Sequence, residues 1–139
     1  MDNTSAVFDS CVLAAAFFQE DLTQKAKEML MVYNPVTVDF ARIEIANVAW
    51  KRILHGKTSP DTIRSALNTS VEFLNDACFL LKASEHIESA YECAITQKIT
   101  LFDALYLTAA MKEERIFITA DQALYTADHD VHEIVLLTI

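Results

Sequence analysis

The stretch Ala6-Val7-Phe8-Asp9-Ser10-Cys11-Val12-Leu13-Ala14-Ala15-Ala16-Phe17-Phe18 decides the fold. Three apolar residues are too short for a helix and stop at Asp9-Ser10, both good helix-capping types. The apolar run then resumes over Val12 to Phe18 at helical length, so the segment reads as a strand followed by a helix. The same grammar repeats down the chain. Thr23 to Val32 places Ala26, Met29 and Leu30 at helical spacing, and Val36-Thr37-Val38 is a β-branched strand after Asn34-Pro35. Asp39 is expected to cap a helix over Phe40 to Leu54 that ends near Gly56, and Ser59-Pro60-Asp61 to open another running to about Phe73. Strands over Cys78–Leu81, Ile116–Ile118 and Ile134–Leu137 alternate with helices over Ser84–Gln97, Leu101–Glu114 and Asp121–Ala127.

Strands separated by helices pair in parallel through right-handed crossovers, with helices on both faces. The expectation is therefore a three-layer α/β/α fold around a mainly parallel sheet of roughly five strands. At 139 residues it forms one domain over 1–139. Composition agrees. Hydrophobic residues at 53% against charged residues at 22% exclude a disordered chain. A single glycine, Gly56, excludes sites in which glycines let backbone approach phosphate, and argues against a barrel of tight hairpins. A formal charge of −9 excludes a broad basic surface for nucleic acid.

Three cysteines, Cys11, Cys78 and Cys93, without a C-x-x-C pair read as reduced, buried thiols of a cytoplasmic protein. Met1 to Ser5 has no basic leader character, and no apolar run reaches the roughly 18 residues of a membrane span. The N-x-[ST] triplets at Asn3 and Asn68 carry no meaning without secretion, and His129 and His132 read as surface residues.

In a parallel sheet, function gathers at the carboxyl ends of the strands. Asp9, Asp39 and Asp121 each follow a short apolar strand. Glu44 interrupts the apolar stripe Phe40, Ile43, Asn47, Trp50, Leu54, and Asp103 opens the apolar run Ala104-Leu105-Tyr106-Leu107. Each acid has a plain structural explanation. Asp9 and Asp121 could be helix caps, Thr100-x-x-Asp103 fits a capping box, and Glu44 could turn outward to Arg42 or Lys51. Together they fare worse, because several carboxylates converging without a counter-ion repel one another and a divalent cation relieves that. Oxygen ligands without His or Cys favour Mg²⁺ or Mn²⁺ over zinc.

Val7-Phe8-Asp9-Ser10-Cys11-Val12-Leu13, Asp39 to Val48 around Glu44, Thr100-Leu101-Phe102-Asp103-Ala104-Leu105-Tyr106-Leu107 and Phe117-Ile118-Thr119-Ala120-Asp121-Gln122-Ala123-Leu124 occur in one order along the chain. In that order they resemble the four acid motifs of the PIN-domain ribonucleases, above all the VapC-type toxins of toxin–antitoxin pairs. The resemblance implies hydrolysis of RNA phosphodiester bonds by an endoribonuclease whose Asp9, Glu44, Asp103 and Asp121 hold one or two Mg²⁺ or Mn²⁺ ions. Ser10 and Thr119 match positions whose hydroxyls orient the acids, and Asn47 lies one turn beyond Glu44. Many relatives carry a further acid after the fourth, where this chain has Gln122-Ala123, which weakens the case for a second metal. Partners implied are an RNA substrate, an antitoxin protein and a second copy in a homodimer.

Arg42, Lys51, Arg52 and Lys57 near the second acid, and Lys98, Lys112 and Arg115 near the third, are the candidate phosphate contacts. Tyr91, Ile95, Leu101, Tyr106 and Met111 are either core or a surplus available to a second copy or an antitoxin helix. A nuclease of RNA processing without an antitoxin and a non-catalytic PIN-like interaction module are the alternatives. A haloacid-dehalogenase-type phosphatase needs an Asp where Cys11 stands. A receiver domain needs further acids near Asp9 and a late Lys after a strand.

Overall fold

A computed structural model describes residues 4–139. Met1 to Asn3, with the first glycosylation-like triplet and most of the leader reading, lie outside them. Five strands, β1 (Ser5–Phe8), β2 (Asn34–Val38), β3 (Phe79–Leu81), β4 (Phe117–Thr119) and β5 (Ile134–Leu136), form one sheet in the order β3-β2-β1-β4-β5. Every pairing is parallel, with Val7 opposite both Val36 and Phe117. The helices are α1 (Ser10–Phe17), α2 (Thr23–Val32), α3 (Ala41–His55), α4 (Pro60–Ala77), α5 (Ile87–Gln97), α6 (Leu101–Glu113) and α7 (Gln122–Asp128). A 3₁₀ turn, Ala83–Glu85, precedes α5, so that helix starts three residues later than expected.

Two groups of helices sandwich the sheet as an α/β/α arrangement. Helix α1 packs on α2, α3 and α4, while α6 packs on α5 and crosses β1, β2 and β4. Both α1 and α6 are apolar nearly all round, which suits helices buried against a sheet. Residues Ala104 to Ala110 of α6 are buried without interruption. Phe8, Leu13, Phe117 and Ile118 are among the fully buried side chains, each contributing about 1.5–3 kcal/mol relative to exposure.

Helix ends show how a chain with one glycine is punctuated. Ser59 caps α4 by accepting from the Thr62 N–H, with Pro60 in the first turn. Helices α5 and α6 end on left-handed residues, Lys98 (φ 58°) and Glu114 (φ 54°), where glycine is the usual choice. Gly56 is needed for another reason. Its φ is ordinary, but a Cβ there would sit 2.4 Å from the Arg52 carbonyl oxygen.

Helix α3 corrects the sequence reading in two ways. Its buried face is Ala41, Ile45 and Ala49, whose small ends allow close packing on α1 and α4. The stripe Ile43, Asn47, Trp50, Leu54 lies on the opposite side and is exposed, Ile43 by 62% and Trp50 by 57%. The second correction concerns Asp39. Its carboxylate does not cap α3; it accepts from the Ala83 N–H at 2.9 Å, bridging the ends of β2 and β3.

Candidate active site

The strand order reverses between β1 and β4, since the chain leaves β1 toward β2 on one side and β4 toward β5 on the other. Ligand crevices of open parallel sheets form at that point, beyond the carboxyl ends. Asp9 follows β1 and takes up its hydrogen bond to β4, its N–H donating to Ile118 O at 2.9 Å. Thr119 closes β4, and Asp121 stands two residues on.

Asp9 is 5% exposed and occupies the capping position of α1 without making a side-chain cap bond. Its carboxylate instead accepts from the Thr119 hydroxyl at 2.8 Å. Burial pushes the Asp9 carboxyl up to about 6; the Thr119 bond opposes that rise, and the charges of Asp103 and Glu44 add to it. Thr119 Oγ1 also accepts from the Asp121 N–H at 3.1 Å and lies 3.9 Å from the Cys11 sulfur. Cys11 is an exposed residue on the first turn of α1, contrary to the expectation of burial, but its sulfur turns in toward Thr119 and burial raises the pKa of the thiol.

Glu44 does not turn outward to Arg42 or Lys51. It is half-buried and accepts a hydrogen bond from the Tyr106 hydroxyl. Burial raises its pKa, hydrogen bonds from Tyr106 and Ser10 lower it, and Asp103 raises it again. Asp103 and Asp121 sit at helix starts, as their structural explanations require. Thr100 accepts from the Asp103 N–H at 3.1 Å, and Asp121 Oδ1 accepts from the Leu124 N–H at 3.1 Å. Burial raises the pKa of Asp103, with the charge of Asp121 contributing.

The four acids therefore feel one another electrostatically, and no ion pair joins any of them to a basic side chain among the described residues. They do not close into a single coordination shell. Among the described residues, no three His, Cys, Asp or Glu side chains converge to metal-ligating distance. Like charges so near repel, and a shell of carboxylates needs a cation to draw it together.

The remaining candidates lie farther out. Asn47 is exposed on α3, and Arg42 is held by Asn75 Oδ1 at 3.2 Å and the Asp39 carbonyl at 3.3 Å. Arg52 donates to the Gln19 carbonyl at 3.0 Å and pairs with Glu20 at 3.7 Å, while Lys51 lies beside it on a groove with Val48 and His55. Tyr91, Ile95, Leu101 and Met111 are exposed apolar residues, but Tyr106 is 1% exposed and belongs to the core. His129 is exposed, whereas His132 is half-buried against the Arg115 carbonyl.

Two groups escaped the sequence reading. Tyr106, read as either core or surplus, is core, and the hydroxyl of a Tyr in a helix so uniformly apolar needs a partner. Asp128, just past the expected end of α7, is fully buried with neither carboxylate oxygen hydrogen-bonded. Burial raises its pKa, and Asp130 and then Asp103 add to the rise.

The chain is 27% identical to Ribonuclease VapC3 of Pyrobaculum aerophilum over 119 residues, 85% of this chain and 90% of that protein. Its fold is similar to a toxin–antitoxin complex from Klebsiella pneumoniae (TM-score 0.64, 20% identity, 94% of this chain and 96% of that one). It is also similar to PAE2754 from Pyrobaculum aerophilum (TM-score 0.68, 18% identity, 90% and 80%). A third similar structure is VapBC2 from Rickettsia felis bound to a DNA fragment from their promoter (TM-score 0.60, 12% identity, 95% and 96%). The family model described as PIN domain matches residues 6–130, from within β1 to just past α7, and the chain belongs to that family.

Proposed function

We propose that the chain is a Mg²⁺- or Mn²⁺-dependent endoribonuclease and the toxin of a VapBC-type toxin–antitoxin pair, its single PIN domain spanning 1–139. The observation that carries the reading is the group of four carboxylates at the topological switch point, three with pKa values raised by burial and none ion-paired among the described residues. Carboxylate and hydroxyl oxygens are the donors a hard divalent cation prefers, so the residues present fit such an ion. Asp9, Glu44, Asp103 and Asp121 would hold it. When bound, it supplies positive charge for a phosphodiester and lowers the pKa of an attacking water.

The chain's own groups do the rest. Thr119 fixes the Asp9 carboxylate, Ser10 supports Glu44, and the N–H groups of the first turns of α6 and α7 hold Thr100 and Asp121 in place. No Ser or Cys nucleophile paired with a His is in this constellation, which leaves water as the nucleophile. Lys51 and Arg52, two helical turns past Glu44 on α3, serve as phosphate contacts, with Arg42, two residues before Glu44, and Asn47 at the rim. The names of the similar proteins, a ribonuclease and toxin–antitoxin complexes, support RNA as substrate and an antitoxin as partner. The exposed stripe Ile43, Trp50, Leu54 and the exposed Tyr91 and Ile95 offer apolar area for the antitoxin and for a homodimer. None of the helices among the described residues is long and apolar enough to cross a membrane, and the site of action proposed is the cytoplasm.

The test is incubation of the purified chain with RNA in Mg²⁺, in Mn²⁺ and in EDTA, with and without the product of a neighbouring small DNA-binding-protein gene. Cleavage that needs the cation and is suppressed by that protein is the expected result. Cleavage in EDTA contradicts the metal, and indifference to the second protein contradicts the antitoxin.

A further inference from the structure

Helices α3 and α6 carry one of the four site acids each but are not packed along their lengths: α3 lies on α1 and α4, α6 on α5 and the sheet. They meet at their starts. The Phe40 and Phe102 rings stack there with centroids 5.5 Å apart and planes 3° from parallel. One turn into each helix, the Tyr106 hydroxyl donates to Glu44 Oε1, and the Ser10 side chain acts as a hydrogen-bond partner of both groups. Tyr106 is one helical turn beyond Asp103, so a single helix carries one acid and the donor that restrains another.

The ring of Tyr106 is completely enclosed, and a Phe would fill the same space. The hydroxyl adds a buried polar group, which is costly unless it is bonded. Its partners are the acid of α3 and the serine of α1. A glutamate on a long flexible stem loses the advantage of proximity unless its carboxylate is held. We propose that Tyr106 is a positioning residue, whose hydroxyl holds the Glu44 carboxylate by Oε1 and keeps it oriented toward the other three acids. This rests on the nuclease reading above.

Tyr106→Phe, Glu44→Gln and the double variant of the full chain separate the possibilities. Thermal melting reports folding, calorimetry with Mn²⁺ reports affinity, and an RNA oligonucleotide gives kcat and KM. The Glu44 carboxyl carbon shift, read by NMR in metal-free protein, reports the hydrogen bond itself. Tyr106→Phe is expected to melt close to the parent chain and to move the Glu44 carboxyl shift. Mn²⁺ affinity or kcat should fall about 10-fold or more with KM for RNA unchanged, the scale of losing a partner that orients a metal ligand. In the Glu44→Gln background the same change should cost nothing further. Parent-like Mn²⁺ affinity and kcat in Tyr106→Phe overturn the proposal, as does an equal loss in the Glu44→Gln background or an unmoved carboxyl shift. If Glu44→Gln itself binds Mn²⁺ and cleaves like the parent, the underlying nuclease reading fails, and the proposal with it.

Discussion

Asp9 and Glu44 differ from Asp103 and Asp121 in what holds them. Asp9 is held by Thr119, 110 residues away, and Glu44 by Tyr106, 62 residues away. Asp121 is held by the N–H of Leu124, and the backbone at Asp103 by Thr100, each within three residues. The first pair depends on the sheet and helices being assembled. The second pair is set by the first turns of α6 and α7 alone. An acid that caps its own helix contributes to local stability as well as to a site, whereas a buried acid restrained from afar opposes folding when ionised.

The largest expected effect comes from Asp9. Its carboxyl, raised to about 6 in the folded chain from 3.8, binds a proton more tightly folded than unfolded. The folded state is therefore favoured at low pH, and that advantage fades as pH rises from about 4 to 6, on the order of 3 kcal/mol in all. In EDTA the parent chain should melt higher at pH 5 than at pH 8, by the part of this contribution still present at pH 5, about 1.4 kcal/mol. Asp9→Asn should lose that difference and melt above the parent at pH 8. An Asn variant that keeps the full pH dependence breaks the contrast between the two pairs.

Next in size is a matched pair of hydroxyl deletions. Thr119→Val removes the donor to Asp9 and should lower RNA cleavage about 10- to 100-fold. Thr100→Val removes the α6 cap and a neighbouring hydroxyl of Asp103 that lies within the same helical turn, lowering stability by about 1 kcal/mol while cleavage by the folded fraction stays within a few-fold. Urea unfolding and initial cleavage rates distinguish them, and equal cleavage losses would erase the distinction. The smallest effect lies away from both pairs. Lys98→Gly relieves a left-handed residue and should raise stability by about 1 kcal/mol with cleavage unchanged; a destabilised variant would contradict the strain assigned there.

The alternation of strands and helices was legible because short apolar runs end abruptly at Asp9, Asp39 and Asp121. The three acids share one local grammar and yet diverge. Asp9 stands at the switch point, while Asp39 is consumed bridging β2 to Ala83. That difference follows from strand order, which adjacent residues do not encode. Helix α3 shows the same limit. Ala41, Ile45, Ala49 and Ile43, Trp50, Leu54 are both apolar at helical spacing, and which stripe is buried depends on how closely α1 and α4 approach. Tyr106 was legible in principle as a polar tip in an apolar helix, but its partner on α3 became visible only with the fold.

The most direct test of the central claim is end-mapped cleavage of total RNA by the parent chain and Asp9→Asn, each in Mn²⁺ and in EDTA. Discrete new ends from the parent chain in Mn²⁺ alone are the predicted result. The same ends from folded Asp9→Asn, or from the parent chain in EDTA, would contradict a metal-dependent nuclease built on these four acids.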